Sequence, residues 1–467
     1  MNWELFGISL YVLSMLFVGV WVSKRIKTEE DYFLGGRSLG PFLATFSIFA
    51  TWFGAETCIG TAGNVYRDGL SSLHADPIGY SICLFLMALF FARVLWRRQI
   101  TTIPDLFRKR FSPAVEKMAA LLMIPGSIIW AGAQIRALGQ IIHSTTDVGA
   151  SLGITAAAGV VILYTMLGGL LADAYNDLIQ GIAVIGGLLF VLIAVVIDLG
   201  GVSGTIAVMP LDKLTFSGGE SAGLSFLGKL ELWMVPIMGS IIAQELVSRV
   251  VASRSEKIAS NSAFRASFIY LLVGSIPVII GLVGPHYFPN LSDSETLMPL
   301  LAKTHLNYVY YIIFIGALVS AILSTVDTTL LSASALASHN LIYPLMKNLT
   351  DRKRVMIARG GTLISGVIGY FIAFSSESIT ELVEMASALG GPSVLIITII
   401  ALWVKWGSAA NAIIAIVMSM IAWVIANYMI EIEYPIILTV VVCGVSYFAS
   451  LPLTRIFKPD SIAAHQS

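Results

Sequence analysis

Asp173 and Asp177 lie four residues apart after Gly168 and Gly169 in an apolar stretch, so a helix would project both carboxylates from one face. A carboxylate at the centre of a bilayer costs about 2.5 to 3.5 kcal/mol on insertion scales and must face protein or water. Such a pair can serve an ion, a proton or a salt bridge. Further along, Ser320, Ser324, Thr325, Asp327, Thr328 and Thr329 crowd hydroxyls and a carboxylate into another apolar run. Hydroxyls and freed carbonyls are hard oxygen ligands of the kind that suit sodium. Close packing, with hydroxyls bonded back to their own helix, is the alternative for such a run. A third polar interruption, Ala50-Thr51-Trp52-Phe53-Gly54-Ala55-Glu56-Thr57, puts Gly54 and Glu56 at mid-depth of an early apolar stretch.

The elements that carry these residues follow from composition. The chain has 467 residues, 57% hydrophobic and 12% charged, against about 25% charge in soluble domains. A soluble enzyme is excluded, and one continuous membrane domain over 1–467 is expected. Lys plus Arg (28) balances Asp plus Glu (28), so the basic excess that nucleic-acid binding requires is missing. The three cysteines lack CxxC spacing, and the six histidines form neither a metal-spaced pair nor a triad. No catalytic constellation is visible, and no obligate protein partner is indicated.

A helix needs about 20 apolar residues to cross a bilayer core of ~30 Å. Thirteen runs qualify, near 4–24, 41–65, 75–96, 117–142, 150–168, 172–198, 229–250, 264–284, 306–338, 356–375, 379–404, 407–428 and 434–455. An external N-terminus and internal C-terminus place Lys24, Arg25, Arg97, Arg98, Arg108, Lys109, Arg110, Arg249, Arg254, Arg352, Lys353 and Arg354 inside, as the positive-inside rule demands. The first run is followed by Lys24, Arg25 and Lys27, which reads as a retained helix rather than a cleaved leader. The location implied is the plasma membrane, or the inner membrane in a Gram-negative cell.

The second span breaks at Thr51–Thr57, the seventh at Pro236 and Gly239, and the eleventh at Gly390-Gly391-Pro392. Paired interruptions five helices apart point to an inverted repeat, 41–200 and 229–405, with a site where the broken helices meet. Spans 1, 12 and 13 are then peripheral. Gly and Pro are also common in membrane helices generally.

Four separated motifs carry a family resemblance: Asp31 to Gly40 (DYFLGGRSLG), Ala55 to Gly60 (AETCIG), Gly168 to Gln180 (GGLLADAYNDLIQ) and Ala321 to Thr325 (AILST). Together they resemble the sodium:solute symporter family, over about residues 28–405. The resemblance implies an all-α five-plus-five inverted-repeat (LeuT-like) fold, alternating access, and Na+ coupled to import of a small solute across the lipid bilayer. It implies a sodium site from the carbonyls of Ala50, Phe53 and Ala321 and the hydroxyls of Ser324 and Thr325. A second site, found in some members, would use Asp177 with Ser324 and Thr325. Asp173 stands where the family often has an apolar residue.

Within the family, the segments around Trp52, Pro77 to Ser81, Trp130 and Asp327 to Ser334 are most similar to the choline-transporter branch, whose members box a quaternary ammonium with aromatic rings. Trp52 and Trp130 match two walls; the third position is Ala243, beside Gln244. Arg136 near such a pocket would repel a cation and grip a carboxylate through two hydrogen bonds, unless it serves a salt bridge to Glu56 or Asp173. Asp76 offers a pole for an amine, and Thr57 and Gln244 offer hydrogen bonds. A carboxylate or zwitterion is the expected solute. A quaternary-amine importer, a proton-coupled carrier using Asp173, and a non-transporting sensor are the alternatives; the dozen residues after the last span leave a sensor little room for an output module.

Overall fold

The computed structural model describes residues 17, 21–145, 149–216, 219, 222–376 and 378–452. The expected span at 4–24 lies almost wholly outside them, as do Arg455 and Lys458. Among the described residues the regular elements are helical, with one isolated parallel bridge between Leu39 and Ser253. Eight helices are long and apolar enough to cross a bilayer, or nine if Phe226–Ser240 and Gln244–Val251, bent by 47°, are one span.

Over the described residues that count is lower than the expected thirteen, and broken helices account for part of the difference. Apolar composition continues through points where helical geometry stops, so Pro41–Trp52 and Pro435–Ala449 emerge as helices too short to span alone, whereas Ala150–Asp198 stays helical up to its break at Gly169. Thr61–Asp68 ends at Gly69 (φ 69°, ψ −152°) and a turn at 75–77 precedes Ile78–Leu86, so the end of the second expected span and the start of the third are joined by a short non-α-helical stretch.

The breaks sit where small residues release the backbone. Pro41–Trp52 ends as Phe53 leaves the helical region (φ −87°, ψ 64°). Ala150–Asp198 is interrupted at Gly169, whose φ of 57° and ψ of −178° suit glycine alone; an added Cβ there would also lie 2.9 Å from the Tyr32 carbonyl oxygen. The expected break at Pro236 and Gly239 falls slightly later, because Phe226–Ser240 stays helical through Pro236 and the chain bends at 241–243. Gly390, in the left-handed region, precedes Gly391–Trp403.

Tyr308–Ala335 is the axle: it packs on Pro113–Thr145, Ala150–Asp198 and Asp351–Ser375. About 72% of the apolar core of its span is buried, against 33% for Asp351–Ser375. Pro41–Trp52 lies against Ala150–Asp198 and Glu256–Tyr287, while Ala409–Val424 and Pro435–Ala449 pack on each other at the side. The bridge joins the two broken helices through main chain: Leu39 N–H donates to the Ala252 carbonyl (3.1 Å) and Arg254 N–H to the Leu39 carbonyl (2.9 Å).

Candidate functional site

The hydroxyl-rich run on Tyr308–Ala335 meets the end of Pro41–Trp52. Ser324 and Thr325 are fully buried. The Thr325 hydroxyl donates to the Thr51 carbonyl (3.1 Å) and shares the Ala321 carbonyl (3.3 Å). Gly54 packs close enough that an added Cβ would lie 2.9 Å from Thr325 Oγ1. A helix's last turn leaves carbonyls without intrahelical donors and carries partial negative charge. The buried residues Ala50 and Phe53 thus flank a negative helix end that faces Ala321, Ser324 and Thr325. Thr51, whose carbonyl is the nearest to Thr325, is absent from the set expected from sequence.

The two aspartates share a face, as their spacing predicts, and that face meets a fully buried arginine. Arg249 Nη2 bonds Asp173 Oδ2 and Thr328 Oγ1, and lies 3.7 Å from Asp177 Oδ2. Asp177 accepts from Ser47 Oγ (2.5 Å) and from Ser324 Oγ. Of the expected second ion set, Asp177 and Ser324 are therefore in direct contact, whereas the Thr325 hydroxyl is turned to Thr51.

The unwound segment is held by a polar lattice. Gln134 accepts from Ala55 N–H (3.0 Å) and donates to Glu56 (2.8 Å), and the Trp130 indole N–H donates to the other Glu56 oxygen (3.2 Å). Trp52 and Trp130 pack edge to face, 5.3 Å between centroids, a geometry favoured by the ring quadrupole. Asp76 accepts from Thr57 Oγ1 (3.1 Å) and from the Tyr270 hydroxyl. Two cavities adjoin this lattice. One of about 50 Å³ is lined by residues that include Trp130, Tyr80, Ser127, Gln244 and Glu245. Another of about 20 Å³ is lined by residues that include Glu56, Asp76, Thr61 and Glu384. Tyr80 and Val383 line both and so form the partition between them.

Among the expected solute contacts, Trp52 meets Trp130 and Thr57 meets Asp76; Trp130 lines the larger cavity and Asp76 the smaller, while Trp52 and Thr57 line neither. Gln244 lines the larger cavity, but its side chain is engaged by Ile103 N–H (3.0 Å) and the Thr101 carbonyl (3.1 Å). Arg136 lines neither cavity; its Nη1 reaches the Ala373 carbonyl at 3.4 Å. Arg136→Lys is accordingly expected to leave solute affinity within about twofold, since no fork to a ligand is lost; equilibrium binding of the transported solute checks this.

Sequence reasoning missed Arg249, Gln134, Tyr270 and Ser47. Arg249 reads as a basic residue at the inner end of a span, yet the structure buries it completely. The signal available was Asp173 itself, an extra membrane carboxylate that requires a counter-charge.

A polar clasp closes the side that carries the basic loops. His339 Nδ1 contacts Glu29 Oε1 and its Nε2 lies 3.0 Å from Asp105 Oδ1. Arg354 donates to Glu29 (2.8 Å), and Asn340 bridges Asp105 (3.1 Å) and Glu116 (3.0 Å). Burial raises the pKa of Glu29 and Asp105, but bonding and charge from His339, joined by Arg354 at Glu29, outweigh it and leave both below the usual carboxylate range. A lowered carboxylate holds its stabilisation above its ordinary pKa and loses it as pH falls through the lowered one. The two carboxylates therefore support the clasp at neutral pH and lose that contribution in acid.

Residues 32–421 match the profile described as the sodium:solute symporter family. The chain is 29% identical over 412 residues to the human high affinity choline transporter 1, covering 82% of this chain and 70% of that protein. It is 27% identical over 456 residues to the sodium/proline symporter of Staphylococcus aureus, covering 91% and 86%. The fold is similar to that of a substrate-bound, outward-open Na+-coupled sialic acid symporter, with a TM-score of 0.85, 19% identity and coverage of 96% and 97%. That likeness fixes an all-α, multi-pass inverted-repeat architecture. The chain thus belongs to the sodium:solute symporter family.

Proposed function

We propose that the protein is a sodium-coupled symporter that imports a small organic solute bearing a cationic nitrogen, a zwitterion or an ammonium, by alternating access. The observation that carries the coupling is the contact of Thr325 with the Thr51 carbonyl at the end of a broken helix. Sodium, held by Ala50, Phe53, Ala321, Ser324 and Thr325, would bind the early and late helices together, fix the unwound segment, and so raise solute affinity by linkage. Two repeats, 41–200 and 229–405, would rock around this site. The basic loops face the cytoplasm and the N-terminus lies outside.

The solute reading rests on charge. Glu56 and Asp76 line one cavity, Trp130, which bonds Glu56 and packs on Trp52, lines the other, and neither Lys nor Arg lines the two cavities among the described residues. Carboxylates and indole faces favour a cation. A carboxylate-selective site, which would draw on Arg136, is the second reading, supported by no contact of that side chain with either cavity.

At ~100 mV, each inward sodium releases about 2.3 kcal/mol, and a tenfold gradient adds about 1.4 kcal/mol. Together they support about 500-fold accumulation of an uncharged or zwitterionic solute per ion. The test is uptake by purified protein in liposomes, with choline, betaines and amino acids offered under sodium, lithium or proton gradients. Uptake indifferent to sodium would overturn the proposal. Glu29→Gln should loosen the clasp: with Ser332→Cys as reporter, a buried position that lines a small cavity with Phe33, Thr101 and Arg249, alkylation by an impermeant thiol reagent is expected to speed up about fivefold, the shift worth about 1 kcal/mol of lost ion pairing.

A further inference from the structure

Asp173, Arg249 and Asp177 form a buried triad of two carboxylates against one guanidinium. Arg249 is bonded to Asp173 and to Thr328, while its distance to Asp177 Oδ2, 3.7 Å, exceeds hydrogen-bond length. Thr328 Oγ1 lies 3.1 Å from the same Asp173 oxygen and 3.0 Å from the Ser324 carbonyl, which fixes the pair against the late helix. The other buried acids nearby are otherwise engaged, Glu245 by Ser127 Oγ (2.5 Å) and Asp327 by Thr165 Oγ1 (2.5 Å). Asp177, with the hydroxyls of Ser47 and Ser324 directed at it, sits at ion-pair distance from the guanidinium but is not hydrogen-bonded to it.

The geometry points to Asp173 as the residue that sets ion stoichiometry: by holding Arg249 off Asp177, it keeps Asp177 available to a second monovalent cation. The inference rests on the sodium-coupled reading proposed above. Without the Asp173 charge, the guanidinium needs to move by only about the difference between 3.7 Å and an ordinary hydrogen bond of roughly 2.9 Å to pair with Asp177. A buried guanidinium left unpaired is strongly unfavourable, so it takes that partner. Paired with Arg249, Asp177 no longer attracts an ion, and the guanidinium repels one. Asp173 is thus a positioning residue that acts through Arg249.

Equilibrium binding of radioactive sodium to the purified full-length protein tests this, with sodium alone as the probe. Wild type is expected to bind two ions per chain. Asp173→Asn, or Asp173→Ser should the amide not be accommodated, is expected to bind one, and that ion should be lost on adding Thr325→Ala. The double variant Asp173→Asn with Arg249→Gln removes both partners, leaves no orphaned charge, and is expected to return the count to two. Two ions bound by either single variant, failure of the double variant to recover the second ion, or one ion in wild type that Thr325→Ala removes would overturn the inference while leaving sodium coupling standing. Absence of sodium binding in wild type would overturn both.

Discussion

Thr325→Ala should weaken sodium binding about 10- to 100-fold while solute affinity at saturating sodium stays within about twofold. An oxygen lost from a desolvated cation compares with a hydrogen bond to a charged group, about 1.5 to 3 kcal/mol, and each 1.4 kcal/mol is tenfold in affinity. Water cannot easily replace it, because Thr325 is fully buried and its hydroxyl already spans the gap between Thr51 and Ala321. Ser324→Ala should act in the same direction and also strip Asp177 of one donor. The measurement is the sodium dependence of uptake, set beside solute binding in excess sodium. Equal loss of both affinities would point to a damaged fold and count against Thr325 as an ion ligand.

Glu56→Gln should lower affinity for an ammonium-bearing solute about 100-fold and leave sodium binding in the absence of solute within about threefold. The amide matches the carboxylate in shape but carries no charge. Its nitrogen would also face a donor, since one Glu56 oxygen accepts from Gln134 and the other from Trp130. A charged partner lost inside a buried site costs about 2 to 5 kcal/mol, which sets the scale. Isothermal titration with the transported solute reads the first quantity and sodium binding reads the second. Undiminished affinity for ammonium solutes would remove Glu56 from recognition.

The sequence displays the breaks plainly, because the requirement is local. Gly54, Gly169 and Gly390 mark places where the chain leaves the helix, and the i, i+4 spacing of Asp173 and Asp177 already dictates a shared face. The family, the all-helical fold and the meeting of the hydroxyl run with the early break are likewise legible. The number of complete spans is not, since hydropathy averages over a window and does not see a three-residue turn inside an apolar run. Nor are long-range partners legible. Arg136 and Arg249 look alike in sequence, one inside a span and the other at its edge. The fold turns the first toward the Ala373 carbonyl and buries the second between two aspartates. Gln134 shows a similar limit, for its role depends on the Ala55 amide that unwinding exposes, 79 positions away.

The bridge between Leu39 and Ser253 belongs to the peptide backbone, so replacements other than proline at Leu39 or Arg254 leave its donors in place. This splice ties the segment that enters Pro41–Trp52 to the segment that leaves Gln244–Val251. Fluorophores placed near the two partners would report whether this splice holds or parts during a turnover cycle.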